Sequence, residues 1–223
     1  MPEDLSTRPR RRDATRSRQA ILDAAERLFA TRGYESTKMA EIASAAGLSV
    51  GTPAYFFRSK EELYRAVLGR AFEETSRLLR APRMGEAAFE EVLEAGVNAY
   101  IDFLAERPNF VRLVVRECLE GGRHLQGLPE HLAAIGSALP RLVDERGRGR
   151  LRNGVDPAHL LLSAISLCWF PMIAAPLTSD LGFEIDSAEF LRARKEQVTE
   201  LLLRGALSGL GRGPSAEEGE APG

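Results

Sequence analysis

Cysteine is nearly absent: Cys118 and Cys168 are the only two among 223 residues, and each stands alone in an apolar stretch. That excludes a disulfide framework. His124, His131 and His159 share no metal-ligand spacing with the cysteines or with carboxylates, so no metal site is expected. No Gly-rich phosphate loop and no nucleophile elbow appears. The pairs Glu61-Glu62, Glu73-Glu74 and Glu90-Glu91 read as helix-surface charges rather than catalytic couples. Together these absences argue against an enzyme and against a bound cofactor. Aromatic residues are also few, at 7%, and Ala, Leu and Val dominate the apolar set, a mix that favours helices over strands. Strand-type alternation and internal repeats are both missing.

The N-terminus lacks an apolar signal core and begins polar and basic, which points to the cytoplasm. From Leu160 to Leu177 there is no charge over eighteen residues. That is the lower limit for a membrane-crossing helix. The run contains Ser163, Ser166, Pro171 and Pro176 and follows an Asp156-Pro157 helix start, so it reads as a helix buried on several sides rather than a membrane segment.

What is present is a basic head on an acidic body. Residues 1–60 hold eleven Lys/Arg against seven Asp/Glu, a net +4, and the remainder holds nineteen against twenty-five, a net −6. Only the head suits a polyanion. Residues 1–12 lack apolar periodicity and read as a flexible basic arm, and residues 211–223 as a disordered tail. A first helix is predicted from about Ala14 to Thr31, with Ile21, Leu22, Ala25, Leu28 and Phe29 on one stripe and Gly33 as a left-handed cap. Two short helices follow, near Met39–Ala46 and Val50–Phe57. A fourth opens at Ser59-Lys60-Glu61-Glu62, which matches a capping box, and presents Leu63, Val67, Leu68 and Phe72 on one face up to about Leu79. Longer helices are predicted over Glu86–Glu106, Phe110–Glu120 and Pro129–Arg146, the last interrupted by Pro140. An eighth runs from Pro157 to about Ala175 and a ninth from Ser187 to about Leu207. The fold class is therefore all-α, with a small helix-turn-helix head over residues 13–60. A helix over 60–80 links it to a larger helical bundle over 81–210.

The stretch Met39 to Phe56 has the requirements of a helix-turn-helix. Two short helices that cross steeply need a small residue where they nearly touch, and Ala43 fits. The turn needs a left-handed residue, and Gly47 fits. Ile42, Ala46, Leu48 and Phe56 supply buried apolar positions, and Ser49 can cap the second helix, with Thr52 as the alternative cap imposed by Pro53. That helix would carry Thr52 and Tyr55 toward DNA, with Lys60 close by. The residues from Ser17 to Ala71 resemble the N-terminal domain of TetR-type (TetR/AcrR) transcriptional regulators. The resemblance rests on Ala24-Ala25-Glu26-Arg27-Leu28-Phe29-Ala30, Gly33-Tyr34, Thr37, Ile42-Ala43, Ala46-Gly47-Leu48-Ser49, Gly51-Thr52, Tyr55-Phe56-Phe57 and Ser59-Lys60-Glu61-Glu62-Leu63.

The resemblance implies a sequence-specific regulator, most simply a repressor released from double-stranded operator DNA by a small-molecule effector of unknown identity. Its third helix would enter the major groove. Thr52, Tyr55 and Lys60 match DNA-facing positions, Lys38 a phosphate-approaching one, and Ser49 and Gly51 positions of close backbone approach. Two departures stand out: Pro53-Ala54 replaces a larger apolar residue followed by Tyr, and Lys38 replaces a small hydroxyl residue that would cap better. The arm residues Arg8, Arg10, Arg11 and Arg12, with Arg16 and Arg18, either reach phosphates or a minor groove or form a solvated tail. The eighth and ninth helices are implied to form a homodimer interface, which suits two half-sites. An effector pocket is sought near Phe103, Arg112, Arg116, Cys118, Trp169 and Phe170, against the simpler reading of each as packing or, for the two arginines, a solvated face. Rival classes are a helical enzyme or carrier, disfavoured by the missing catalytic set, and an architectural DNA binder without effector control.

Overall fold

The computed structural model describes residues 7–80, 88–126 and 139–207. The proposed tail, the first residues of the arm, the Pro82–Gly85 break and the first part of the helix expected from Pro129 lie outside them. Helices are α1 (Thr7–Arg32), α2 (Met39–Ala45), α3 (Thr52–Phe56), α4 (Lys60–Arg80), α5 (Phe89–Glu106), α6 (Pro108–Leu119), α7 (Leu139–Gly147), α8 (Pro157–Ile173) and α9 (Ala188–Ala206), with a short helical turn at Ala175–Thr178 between the last two. The sole β pairing among the described residues is an isolated bridge between Leu151 and Leu207. No described helix is long and apolar enough to cross a membrane. Two compact units emerge, neither contiguous in sequence: residues 1–81 with 103–135, and residues 82–102 with 136–223.

In the first unit α1 begins at Thr7, so the described part of the basic arm continues the helix instead of standing apart from it. The stripe on α1 buries Ile21, Leu22, Ala25 and Phe29, and that on α4 buries Leu63, Val67, Leu68 and Phe72. Phe29 meets Tyr64 edge-on, with ring centroids 4.9 Å apart. Arg70 of α4 pins α1 through Asp23 (2.6 Å) and Glu26 (2.5 Å). The helix α6, beyond the expected domain junction, joins this unit because Phe110, Val111 and Leu113 are buried there. Phe110 packs edge-on against Phe72 of α4 at 5.3 Å.

The second unit is built from α5, α7, α8 and α9. Phe89, Leu142, Leu151, Ala206 and Leu207 form its core, with Leu93, Leu160, Leu161 and Leu203 packed against them. The uncharged run resolves as α8, opened as its sequence signals. Asp156 accepts hydrogen bonds from the amides of Ala158 (2.9 Å) and His159 (3.0 Å), and Pro157 occupies a first-turn position where its missing N–H costs nothing. Ser187 caps α9 through the Phe190 amide at 3.1 Å.

Candidate nucleic-acid interface

The turn after α2 is closed by Gly47, whose φ of +69° is the left-handed conformation that a side chain disfavours. The Leu48 amide then reaches back to the Ala43 carbonyl at 2.9 Å, which satisfies an orphan carbonyl at the helix end. Ile42 and Ala43 are fully buried beneath it. At the other end of α2, Lys38 is the N-cap and makes no side-chain cap bond. The missing small hydroxyl is offset by Glu41, whose Oε2 accepts from the Lys38 amide at 2.9 Å. That bond, more than Arg32 at 3.0 Å, holds the exposed Glu41 carboxyl below its ordinary pKa.

The helix α3 differs from expectation in two ways. It starts at Thr52 with Gly51 as N-cap, not at Val50 with Ser49 as cap. Pro53 has no N–H to give, so it sits in the first turn, where none is needed, and that sets the start. The Ser49 hydroxyl instead meets the Thr52 hydroxyl at 2.7 Å. The register also buries Pro53 and Phe57, leaving Phe56 half-buried where full burial was expected. Arg18 of α1 lies over the Phe57 ring, 5.1 Å from its centroid. With both flanks anchored, Tyr55 projects outward at 83% exposure, its ring edge-on to Phe56 at 5.1 Å.

Of the sequence-derived DNA-facing set, Lys38, Ser49, Gly51 and Tyr55 are exposed and Thr52 is half-buried. Lys60 is held more tightly than sequence suggested. Its Nζ donates to the carbonyls of Tyr34 (3.0 Å) and Glu35 (3.3 Å) and sits 4.3 Å from the Tyr34 ring centroid. The capping box at α4 is half formed. Ser59 Oγ accepts from the Glu62 amide at 3.0 Å, but the Glu62 carboxylate accepts from Arg58 at 2.9 Å. Behind this surface lies a cluster that sequence reading missed. His124 Nδ1 is 2.8 Å from Glu117 Oε1, both are almost fully buried, and the imidazole packs on Tyr34 (4.7 Å) and Tyr64 (4.8 Å). Burial raises the pKa of the Tyr64 phenol strongly and of Tyr34 more modestly, so both stay neutral.

The expected pocket residues fall in different units. In the first, Phe103 is buried edge-on to Phe110 at 5.4 Å, Arg112 and Cys118 are exposed, and Arg116 donates to the Thr31 carbonyl at 3.4 Å. In the second, Trp169 is half-buried and donates from Nε1 to the Tyr100 hydroxyl at 2.6 Å, while Phe170 is 62% exposed.

A family model described as "Bacterial regulatory proteins, tetR family" matches residues 21–67, and one described as "Tetracyclin repressor-like, C-terminal domain" matches residues 90–202. The chain belongs to the TetR family. It is a DNA-binding transcriptional regulator with the helix-turn-helix head and helical second part of that family. Among similar proteins is the HTH-type transcriptional repressor NicS of Pseudomonas putida, 26% identical, covering 88% of this chain and 95% of the relative. Another is the HTH-type transcriptional regulator RutR of Escherichia coli, also 26% identical, covering 90% and 95%. The same TetR fold is seen in the putative transcriptional regulator SCO4942 of Streptomyces coelicolor (TM-score 0.68, 23% identity, 85% and 98% coverage). It recurs in FadR of Bacillus subtilis, solved with stearoyl-CoA (TM-score 0.68, 20% identity, 84% and 98% coverage).

Proposed function

We propose that this TetR-family chain is a cytoplasmic, non-catalytic, homodimeric repressor. In this reading α3 sits in the operator's major groove, with Tyr55 and Thr52 at base edges and Lys38 and the α3 approach residues Ser49 and Gly51 at phosphates. The observation that carries it is Tyr55, an aromatic held at 83% exposure between two buried anchors, Pro53 and Phe57. Its place on the second helix of the helix-turn-helix, where side chains meet base edges, is what makes that exposed ring a candidate for recognition. Lys60 orders the Tyr34–Glu35 turn and sits beside the DNA-facing surface.

Dimerisation through α8 and α9 is supported by the apolar side chains these helices leave exposed. Leu162, Phe170 and Ile173 fall at helical spacing along α8, and Leu201 adds to them from α9. Self-complementary pairing about a two-fold axis would cover that stripe and space two heads for two half-sites. A small molecule bound in the second unit would then shift the population of operator-competent dimers. The experiment is selection of bound duplexes from a random pool at near-physiological salt, with Tyr55→Ala in parallel. A palindromic site enriched by the wild type and lost by the variant supports the reading. Enrichment that survives the variant, or salt-sensitive binding with no preferred site, overturns it.

A further inference from the structure

The second unit contains polar atoms that its own chain leaves unanswered. Asn98 Oδ1 on α5, and Arg194 Nε and Thr199 Oγ1 on α9, are buried without a hydrogen-bond partner. Asn98 and Thr199 share a height along the bundle, and Arg194 lies five residues before Thr199, about 7.5 Å further along α9. At one end Phe89 and Leu93 of α5 share the apolar core with Leu203 and Ala206 of α9. At the other, Lys195 of α9 forms an ion pair with Asp102 of α5. The two helices therefore run antiparallel. That register sets Asn98, one turn before Asp102, level with Thr199, one turn after Lys195. On the third side Arg194 Nη2 donates to the Leu167 carbonyl of α8 at 2.6 Å, and Trp169 donates to Tyr100. Polar groups spread over more than one helical turn thus sit directly beyond the apolar core.

The charge of this polar set is also unbalanced. No carboxylate among the described residues pairs with Arg194, since the local one, Asp102, is committed to Lys195. Burial lowers the Arg194 pKa, yet a guanidinium keeps its proton at neutral pH. The two acidic groups on the neighbouring helices do not supply an anion. Burial pushes the Cys168 thiol up to about 11 and the Tyr100 phenol up to about 12, so both remain neutral. Buried unpaired polar atoms are unfavourable, and beside them stands a half-buried cation with no carboxylate partner, so a ligand that answers both would be favoured there.

We propose that the site formed by Asn98, Arg194 and Thr199, walled by the Tyr100–Trp169 pair, binds the effector, and that the effector is a small aromatic carboxylate carrying a hydrogen-bond donor. The carboxylate accepts from Arg194 Nε. The donor answers Asn98 Oδ1, Thr199 takes either role, and the ring lies against Trp169. This rests on the reading of the second unit as the effector-binding part of a repressor.

The test uses the full chain and its single tryptophan, Trp169, as the reporter. The probes are 4-hydroxybenzoate, benzoate and 4-hydroxybenzamide, titrated to millimolar concentration with selective tryptophan excitation. Saturable change with 4-hydroxybenzoate is expected, with affinity about tenfold weaker for the amide, which lacks the charge. Benzoate, which lacks the donor, falls between. Arg194→Met should remove the preference for acid over amide, Arg194→Lys should keep part of it, and Asn98→Leu should bring 4-hydroxybenzoate down to benzoate, all with melting temperatures near the wild type. Equal affinity for acid and amide, an unchanged response in a folded Arg194→Met protein, or no response from any probe overturns the carboxylate site. If the operator selection succeeds while the titrations fail, the repressor stands without this effector class. If the selection fails, the repressor reading falls whatever Trp169 reports.

Discussion

The two units of this regulator are finished to different degrees. In the first, buried polar groups have partners: Thr37 bonds the Gly33 carbonyl at 2.8 Å, Thr75 the Ala71 carbonyl at 3.0 Å, and His124 answers Glu117. The large apolar side chains it exposes are few, and one of them is Tyr55 on α3. The second unit holds every unpartnered buried side-chain atom identified among the described residues, and most of the exposed large apolar ones, from Val143 to Leu201. A unit that reads a rigid duplex has to be preorganised, whereas one that admits a ligand and a second copy is complete only with them. Variants should therefore behave differently according to the unit they fall in.

The largest effect is expected in the finished unit. Phe29→Ala removes a fully buried ring that packs on Tyr64 and Tyr34. It should cost about 3–5 kcal/mol of unfolding free energy, read by denaturant melts, because a close-packed site collapses only partly. A loss near zero would show that the head is loosely packed. Next comes the buried pair. Glu117→Ala leaves His124 and its amide without their acceptor. A cost of about 1–3 kcal/mol is expected, and a double-mutant cycle with His124→Ala should show coupling. Strict additivity would show that Glu117 and His124 do not stabilise each other.

In the unfinished unit the expected effect is on assembly and not on the fold. Phe170→Glu places a charge on an exposed apolar side chain of α8. Sedimentation should show the dimer shifted to monomer while the helical content is kept, and operator affinity should fall with it, since one head alone reads half a site. A dimer that survives would move the interface off this face. Smaller still is Lys38→Ala in the head. Its exposed ammonium should contribute one phosphate contact, so the slope of log affinity against log salt should flatten by about one with the preferred site unchanged.

How much of this could be read from sequence follows the range of the interactions. Local rules worked: Gly33 and Gly47 adopt positive φ, the α4 stripe is buried, and Asp156-Pro157 opens α8. Where two local rules competed the outcome was less legible. Pro53 overrode Ser49 as the start of α3, and Arg58 took the Glu62 carboxylate that the capping box assigned to Ser59. Contacts across the chain left no local trace. Lys60 reaches carbonyls 26 and 25 residues away, and the Asn98–Thr199 layer depends on a helix register that no window of sequence contains.

The smallest effect tests a cap, and its sign follows from linkage. The exposed Asp156 carboxyl accepts from the His159 and Ala158 amides, and chiefly the first of these bonds lowers its pKa below the ordinary Asp value. A carboxylate whose folded pKa is depressed adds stability above its unfolded pKa, about 4, and loses it as pH falls through the lower folded value. Asp156→Asn keeps an acceptor for the amides but has no proton to gain. Its melting temperature should sit slightly below the wild type at pH 7, and the two should converge as pH drops below that range. Parallel curves through the acid limb would mean that the charge contributes nothing and that the cap acts as a neutral hydrogen bond. That outcome would place the opening of α8 under the control of Pro157 and the apolar contacts of Leu160 and Leu161.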